Sequence, residues 1–218
     1  MPKIFIRELD NIKKMVLSLG AMAEERVRLA VAAVENKDAE TAQRVIKTDY
    51  EIDEMEVEVE ETCLKVLALH QPVAVDLRFL IAVIKINNDL ERIGDQAVNI
   101  AQRVAVLAKR HDVNFDFDYA QMAEKAQAML RMSLDALVNL DEDLALKVVT
   151  LDDEVDQIQR DAYDRIKNAM NENTDNIGYM INLLLISRHL ERLADHATNI
   201  AEEVIYMIEG EIIRHGNY

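Results

Sequence analysis

Apolar residues recur along this chain at steps of three and four, the period of a helix that buries one face. From about Phe5 to Asn36 the series Ile12, Val16, Leu19, Met22, Ala23, Val27, Ala30 and Val34 predicts a first long helix. Asn36, Lys37 and Asp38 interrupt it. Asp38 is placed to cap a second helix, which carries Ala42, Val45, Ile52, Val59, Cys63 and Val66 inward as far as His70. Pro72 suits the first turn of a third helix. Its face runs through Leu80, Val83, Ile84, Ile86, Leu90, Ala97, Ile100, Ala101 and Val104. The pattern stops near Arg110, and the short polar segment His111 to Asp118 predicts a hinge between two halves. Three more helices follow. The fourth spans about Tyr119 to Asn139, and after a break at Leu140 to Asp143 the fifth runs to about Met170. A turn at Asn171 to Asn176, with Asn173 or Thr174 as cap, leads into the sixth, which reaches about Arg214.

The second half repeats the first. LERIGDQAVNIA, Leu90 to Ala101, returns as LERLADHATNIA, Leu190 to Ala201, with eight of twelve columns identical. Further upstream, Ala33, Asn36, Asp38, Ala42, Val45, Asp49, Glu51 and Asp53 match Ala136, Asn139, Asp141, Ala145, Val148, Asp152, Glu154 and Asp156. The predicted fold class is all-α: two tandem three-helix bundles related by internal duplication, residues 1–111 and 112–218.

Composition agrees with helices. Half the residues are apolar, aromatics make up 5%, and there are only five Gly and two Pro. The formal net charge of −16 repels phosphate backbones and anionic headgroups, so nucleic-acid binding and non-specific membrane adsorption are disfavoured, while cations are attracted. The longest apolar runs, Leu29 to Val34 and Phe79 to Ile84, are six residues each, far short of the roughly 20 that span a bilayer. With no signal-peptide pattern at the N-terminus, a cytoplasmic protein without membrane insertion is expected. Cys63, the single cysteine, reads as a buried reduced thiol.

The candidate chemistry lies in acids four residues apart, which a helix stacks on one side. Asp49 with Asp53, Glu91 with Asp95 and Asn99, Asp152 with Asp156, and Glu191 with Asp195 and Asn199 recur at matched places in the repeat. Each like-charge pair costs about 0.2–0.5 kcal/mol on an isolated helix, so four in register suggest something that neutralises them. The stripes flank the predicted buried face. If neighbouring helices bring them together, they form a hard-oxygen cation site suited to Mg, Ca, Mn or Fe. Pairing with Arg92, Arg192, Arg188, Lys47 or water on a solvated face is the other reading, and spacing leaves both open. No His follows a Glu or Asp by three residues, no His-Glu-x-x-His occurs, and no Gly-rich phosphate loop is present. His189 and His196 share a helical side, but their repeat partners are Asp89 and Gln96, so they read as surface polar residues and not as ligands. The ten Met read as core filler.

Pro72 to Arg78, the stretch IKINNDLERIGDQAVNIAQR, and HLERLADHATNIAEEVIYMIEGE together resemble the PhoU family of phosphate-uptake regulators, over essentially the whole chain. That resemblance implies a cytoplasmic homodimer that represses the phosphate-starvation response. It implies an adaptor, not an enzyme, standing between a phosphate ABC transporter ATPase and a sensor histidine kinase. It also implies that the acidic motifs hold metal in some members. Carried over, the metal residues are Asp49, Asp53, Glu91, Asp95 and Asn99 in the first half, and Asp152, Asp156, Glu191, Asp195 and Asn199 in the second. The cation expected is Mg, Mn, Ca, Fe or Zn. A metal-dependent enzyme or a metal store is the rival reading. The family's Asp-Leu-Arg element falls at Asp76 to Arg78, whereas the second half has Asn176 to Gly178 there.

Overall fold

The computed structural model describes residues 3–110, 119–172 and 174–211, and among these the chain is helical and has no strand. Its helices are α1 (Lys3–Asn36), α2 (Ala39–Lys47), α3 (Tyr50–His70), α4 (Ala74–Leu107), α5 (Tyr119–Asn139), α6 (Glu142–Glu172) and α7 (Ile177–Glu209), with a 3-10 turn at Thr174–Asn176 before the last. With α2 and α3 taken as one interrupted helix, this is a three-helix bundle made twice. The expected hinge at 111–118, the 111/112 boundary and the cap at Asn173 lie outside the described residues, and the last helix ends at Glu209, short of the expected Arg214, because Gly210 takes the left-handed conformation (φ 80°) that stops it.

The predicted apolar faces are the buried ones. Ile12, Val16, Leu19, Ala23, Val27 and Ala30 of α1 pack inward, as do Ile52, Val59, Cys63 and Val66 of α3, while Met22, Val34 and Ile84 sit half-covered at the edge. The buried side chains of both repeats form one continuous apolar cluster, so neither bundle has a core wholly its own. Cys63 has no exposed surface, and burial, followed by the Glu60 charge, pushes its thiol up to about 11. It is an inert core residue.

Two boundaries differ from expectation. Pro72 precedes α4 instead of opening it. The chain passes through Val73 in an extended conformation (φ −131°, ψ 160°), which serves as the N-cap without a side-chain bond. The predicted second helix is broken at Thr48 and Asp49. Thr48 ends α2 with a non-helical backbone (φ −106°, ψ 11°), and its carbonyl accepts from Arg26 Nη2 of α1 at 3.1 Å as well as from Glu51 N at 3.3 Å. At the matching place in the second repeat, Leu151 stands for Thr48 and Met129 for Arg26, and α6 runs through unbroken. The guanidinium supplies the partner that a broken helix needs, and a thioether cannot.

The other turns follow the repeat closely. Asp38 caps α2 by accepting from Glu40 N at 2.9 Å and Thr41 N at 3.1 Å, and Asp141 caps α6 by accepting from Leu144 N at 3.0 Å. The residue before each cap, Lys37 (φ 52°) and Leu140 (φ 51°), takes the left-handed conformation although neither is glycine.

Helices α4 and α7 lie antiparallel along their whole length and tie the repeats together. Lys85 Nζ donates to both oxygens of Glu203 at 3.0 and 3.1 Å, His196 Nδ1 donates to Asp89 Oδ1 at 2.8 Å, and His189 Nδ1 donates to Gln96 Oε1 at 2.9 Å. Asp89 and His189 are repeat equivalents, as are Gln96 and His196, so these last two bonds are one contact seen twice across a pseudo-twofold axis. The same symmetry holds at the helix ends. The Arg78 guanidinium covers Gly210 at one end, and the Arg110 guanidinium covers Gly178 at the other, where a Cβ would stand 2.6 Å from Arg110 Nη1. The arginine of the Asp-Leu-Arg element thus has a counterpart just beyond the opposite end of its own helix α4. His189 and His196 are accordingly half-buried seam residues, not the surface residues expected from their spacing.

Candidate metal centres

In each repeat, two helices bring their acidic stripes together. Asp49 stands at the N-cap of α3 with no side-chain capping bond, which leaves its carboxylate free to face α4. Burial first, then the charges of Asp53 and Asp95, push its pKa up to about 6, while Arg26 opposes the shift. Glu91 is raised by burial and then by Asp95, with Arg92 opposing and Asp53 and Glu56 adding to the rise. Arg92 of α4 folds over this cluster, with Nε 3.3 Å from Glu91 Oε2 and Nη1 3.3 Å from Asp95 Oδ2. The Glu91 contact is an ion pair by distance only, since Glu91 Oε2 is buried and completes no hydrogen bond.

The second cluster is tighter. Asp156 of α6 and Glu191 and Asp195 of α7 each offer an oxygen within 4.8 Å of the others. An ion held at roughly 2.0–2.6 Å from each donor needs oxygens a few ångströms apart, so this donor set fits a hard cation. Burial, then Asp195 and Asp156, push Glu191 up to about 7. Burial and Asp195 likewise push Asp152 up to about 6. Asp195 is raised by burial and by Asp156, with His196 and Arg192 opposing. Carboxyls held in this way are poised to exchange a proton for a metal ion.

Some expected members stand apart. Asp53 is exposed at the rim. Asn199 lines the hollow beside Asp152 and Asp195, but its Nδ2 is committed to the seam, donating to Asp89 Oδ1 at 3.1 Å. Asn99 is half-buried on the same side of α4 as Glu91 and Asp95.

Three residues near the sites were missed in the sequence. Glu56 adds an acid to the first cluster, where the repeat has Gln159, and its Oε1 accepts from Asn87 Nδ2 at 3.3 Å. Arg26 borders the first cluster from α1 with a side chain only 11% exposed. Thr198 borders the second, 9% exposed, in an open hollow shared with Asp152, Asp195, His196 and Asn199. It lies close enough to Asp152 to lower that carboxyl against the main trend, yet its Oγ1 reaches full hydrogen-bond geometry with no protein group. The signal available was the repeat itself, because all three occupy columns where the halves differ.

The PhoU domain family matches residues 16–104 and again 119–204. The chain belongs to the PhoU family. A PhoU homologue of Pseudomonas aeruginosa, described as a phosphate-specific transport system accessory protein, is 36% identical over 212 residues, covering 97% of this chain and 88% of the relative. A homologue from Aquifex aeolicus with the same description is 37% identical, covering 98% and 96%. The crystal structure of PhoU from Pseudomonas aeruginosa superposes with a TM-score of 0.91 at 36% identity, covering 95% of this chain and all of the other. The phosphate transport system regulatory protein PhoU from Streptococcus pneumoniae superposes with a TM-score of 0.85 at 31% identity, covering 95% and 98%. The family's duplicated bundle is therefore the fold of this chain. Among the described residues, no helix is long and apolar enough to cross a membrane.

Proposed function

We propose that this protein is a cytoplasmic, homodimeric negative regulator of phosphate uptake and of the phosphate-starvation response. It acts as a non-enzymatic adaptor between a phosphate ABC transporter ATPase and a sensor histidine kinase. The observation that carries this reading is the near-full-length similarity to proteins described as phosphate-specific transport accessory proteins. The acidic clusters bind hard cations, with Asp156, Glu191 and Asp195 as the best-gathered donors and Asp152 beside them. Bound cations offset the mutual repulsion of the stripes and fix α6 against α7, and α3 against α4, so they set the shape that partners meet. A reporter fused to a phosphate-starvation promoter tests the role. Deleting the protein is expected to raise expression in high phosphate, and unchanged repression would contradict it.

The gathered carboxylates also favour a second reading, metal-assisted hydrolysis of a phosphate ester. Phosphatase turnover by the metal-loaded protein, lost in Asp195→Asn, would support it. Absence of turnover with full metal occupancy would leave the adaptor.

A further inference from the structure

The two acidic clusters descend from one motif, but their surroundings differ. Around the first, the protein supplies its own cations. The buried Arg26 guanidinium anchors on the Thr48 carbonyl and on Glu51 beside Asp49, and Arg92 lies within 3.3 Å of both Glu91 and Asp95. Around the second, the residue equivalent to Arg26 is the buried Met129, and the exposed Arg188 and Arg192 lower Glu191 and Asp195 only through space, with no ion pair from either among the described residues. The guanidinium that pairs directly, Arg160, touches Asp156 at 3.3 Å from a side chain 58% exposed, a pair that water and salt easily displace. Glu56 adds negative charge to the first cluster, but its carboxylate is engaged by the Asn87 amide. The second cluster instead gains a neutral donor. Thr198 Oγ1 is buried, reaches full hydrogen-bond geometry with no protein group although it lies close enough to Asp152 to lower that carboxyl, and lines the hollow beside Asp152 and Asp195, where the first repeat has Val98.

We propose that the two clusters are unequal cation sites. The second takes a hard divalent cation first, with the Thr198 hydroxyl serving as an added oxygen for the ion or its bound water. The first is held partly neutralised by Arg26 and Arg92 and fills only at higher concentration. This ranking rests on the cation reading given above. A buried hydroxyl without a well-formed hydrogen bond costs free energy that an ion's coordination shell recovers. A fixed guanidinium repels an arriving cation across a short, partly desolvated distance, and its removal is worth about tenfold in affinity.

Calorimetric titration of Mn²⁺ into the full chain and its variants tests the ranking. The wild type is expected to show a tight event that Asp195→Asn weakens more than about tenfold and Asp95→Asn changes less than about twofold. Thr198→Val, the residue of the first repeat, should weaken it about three- to fivefold. Arg26→Met, the residue of the second repeat, should tighten the weak event about tenfold, with the exposed Arg92→Gln as a second probe should Arg26→Met lose its helical circular dichroism. Loss of the tight event in Asp95→Asn, or no response to both arginine substitutions, overturns the ranking and leaves cation binding intact. No heat from the wild type overturns cation binding itself.

Discussion

The two repeats share one pattern of core packing but not the charge around their acidic clusters. At the contact between the acidic helices, the first repeat places Gly94 under Ile52 and the second places Ala194 at the position of Gly94 and Val155 at that of Ile52. One methyl group has moved from one side of the contact to the other, and the sum of side-chain carbons is unchanged. All four positions are buried. Dense interiors allow few other solutions, because a void or an overlap of one methyl is felt at once. At the rim of the same contact no such compensation exists. Arg26 became Met129, Val98 became Thr198 and Glu56 became Gln159, each altering charge or polarity with no matching change opposite. Packing constrained the duplicates together, while the electrostatics of their clusters drifted apart.

The equivalence of the cores can be broken most severely at Ile100 and Ile200, both without exposed surface. Ile100→Ala and Ile200→Ala should each destabilise the protein by about 2–5 kcal/mol, and by similar amounts, in urea unfolding. A large disparity would show that one repeat carries most of the core. The exchanged methyl gives a smaller effect. A Cβ at Gly94 would stand 2.9 Å from Ile52 Cδ1, so Gly94→Ala alone should cost about 1–3 kcal/mol. Adding Ile52→Val recreates the pairing of the second repeat and should recover most of that loss in a double-mutant cycle.

The clusters should differ in their pH response. Glu191 titrates near 7 and Asp152 near 6 in the folded state, against ordinary carboxyl values of 4.5 and 3.8. The unfolded chain releases those protons first, so the metal-free protein loses stability as pH rises from about 4 to 7 and holds level above. His189 acts in the opposite sense. Burial, then Arg103, Arg192 and Arg188, lower it to about 4, so its share of stability is lost as pH falls from 6.5 towards 4. Comparing Glu191→Gln with Glu91→Gln cancels the His189 contribution. Urea midpoints between pH 5 and 7.5 should flatten more in Glu191→Gln, and equal slopes would place both clusters in the same environment. The smallest effect is expected at Arg92, whose side chain is half exposed. Arg92→Gln should change the stability of the metal-free protein by less than about 1 kcal/mol, even where the proposed ranking expects it to alter cation affinity.

Most of this fold was legible in the residues because burial imposes a period. The three- and four-residue steps located the inward face of nearly every helix, and Asp38 announced its cap. The break at Thr48 was not legible, since the guanidinium that meets it belongs to Arg26, 22 residues away on another helix. Nor was the seam, where His196 meets Asp89 and His189 meets Gln96 only because α4 and α7 run antiparallel. The acidic pairs were visible as a spacing, and their convergence in the second repeat follows from the packing of α6 on α7. The proposed inequality rests on the columns where the halves disagree. Those columns acquire meaning only once the fold shows which of them face the carboxylates.

The most direct measurement is anomalous diffraction from crystals of the wild-type protein soaked in a rising series of Mn²⁺ concentrations, because it reads both clusters in the same molecule. Unequal sites predict a peak among Asp156, Glu191 and Asp195 at low concentration, with density between Asp49 and Asp95 only later. Peaks that grow together, or appear first beside Arg92, would contradict that inequality.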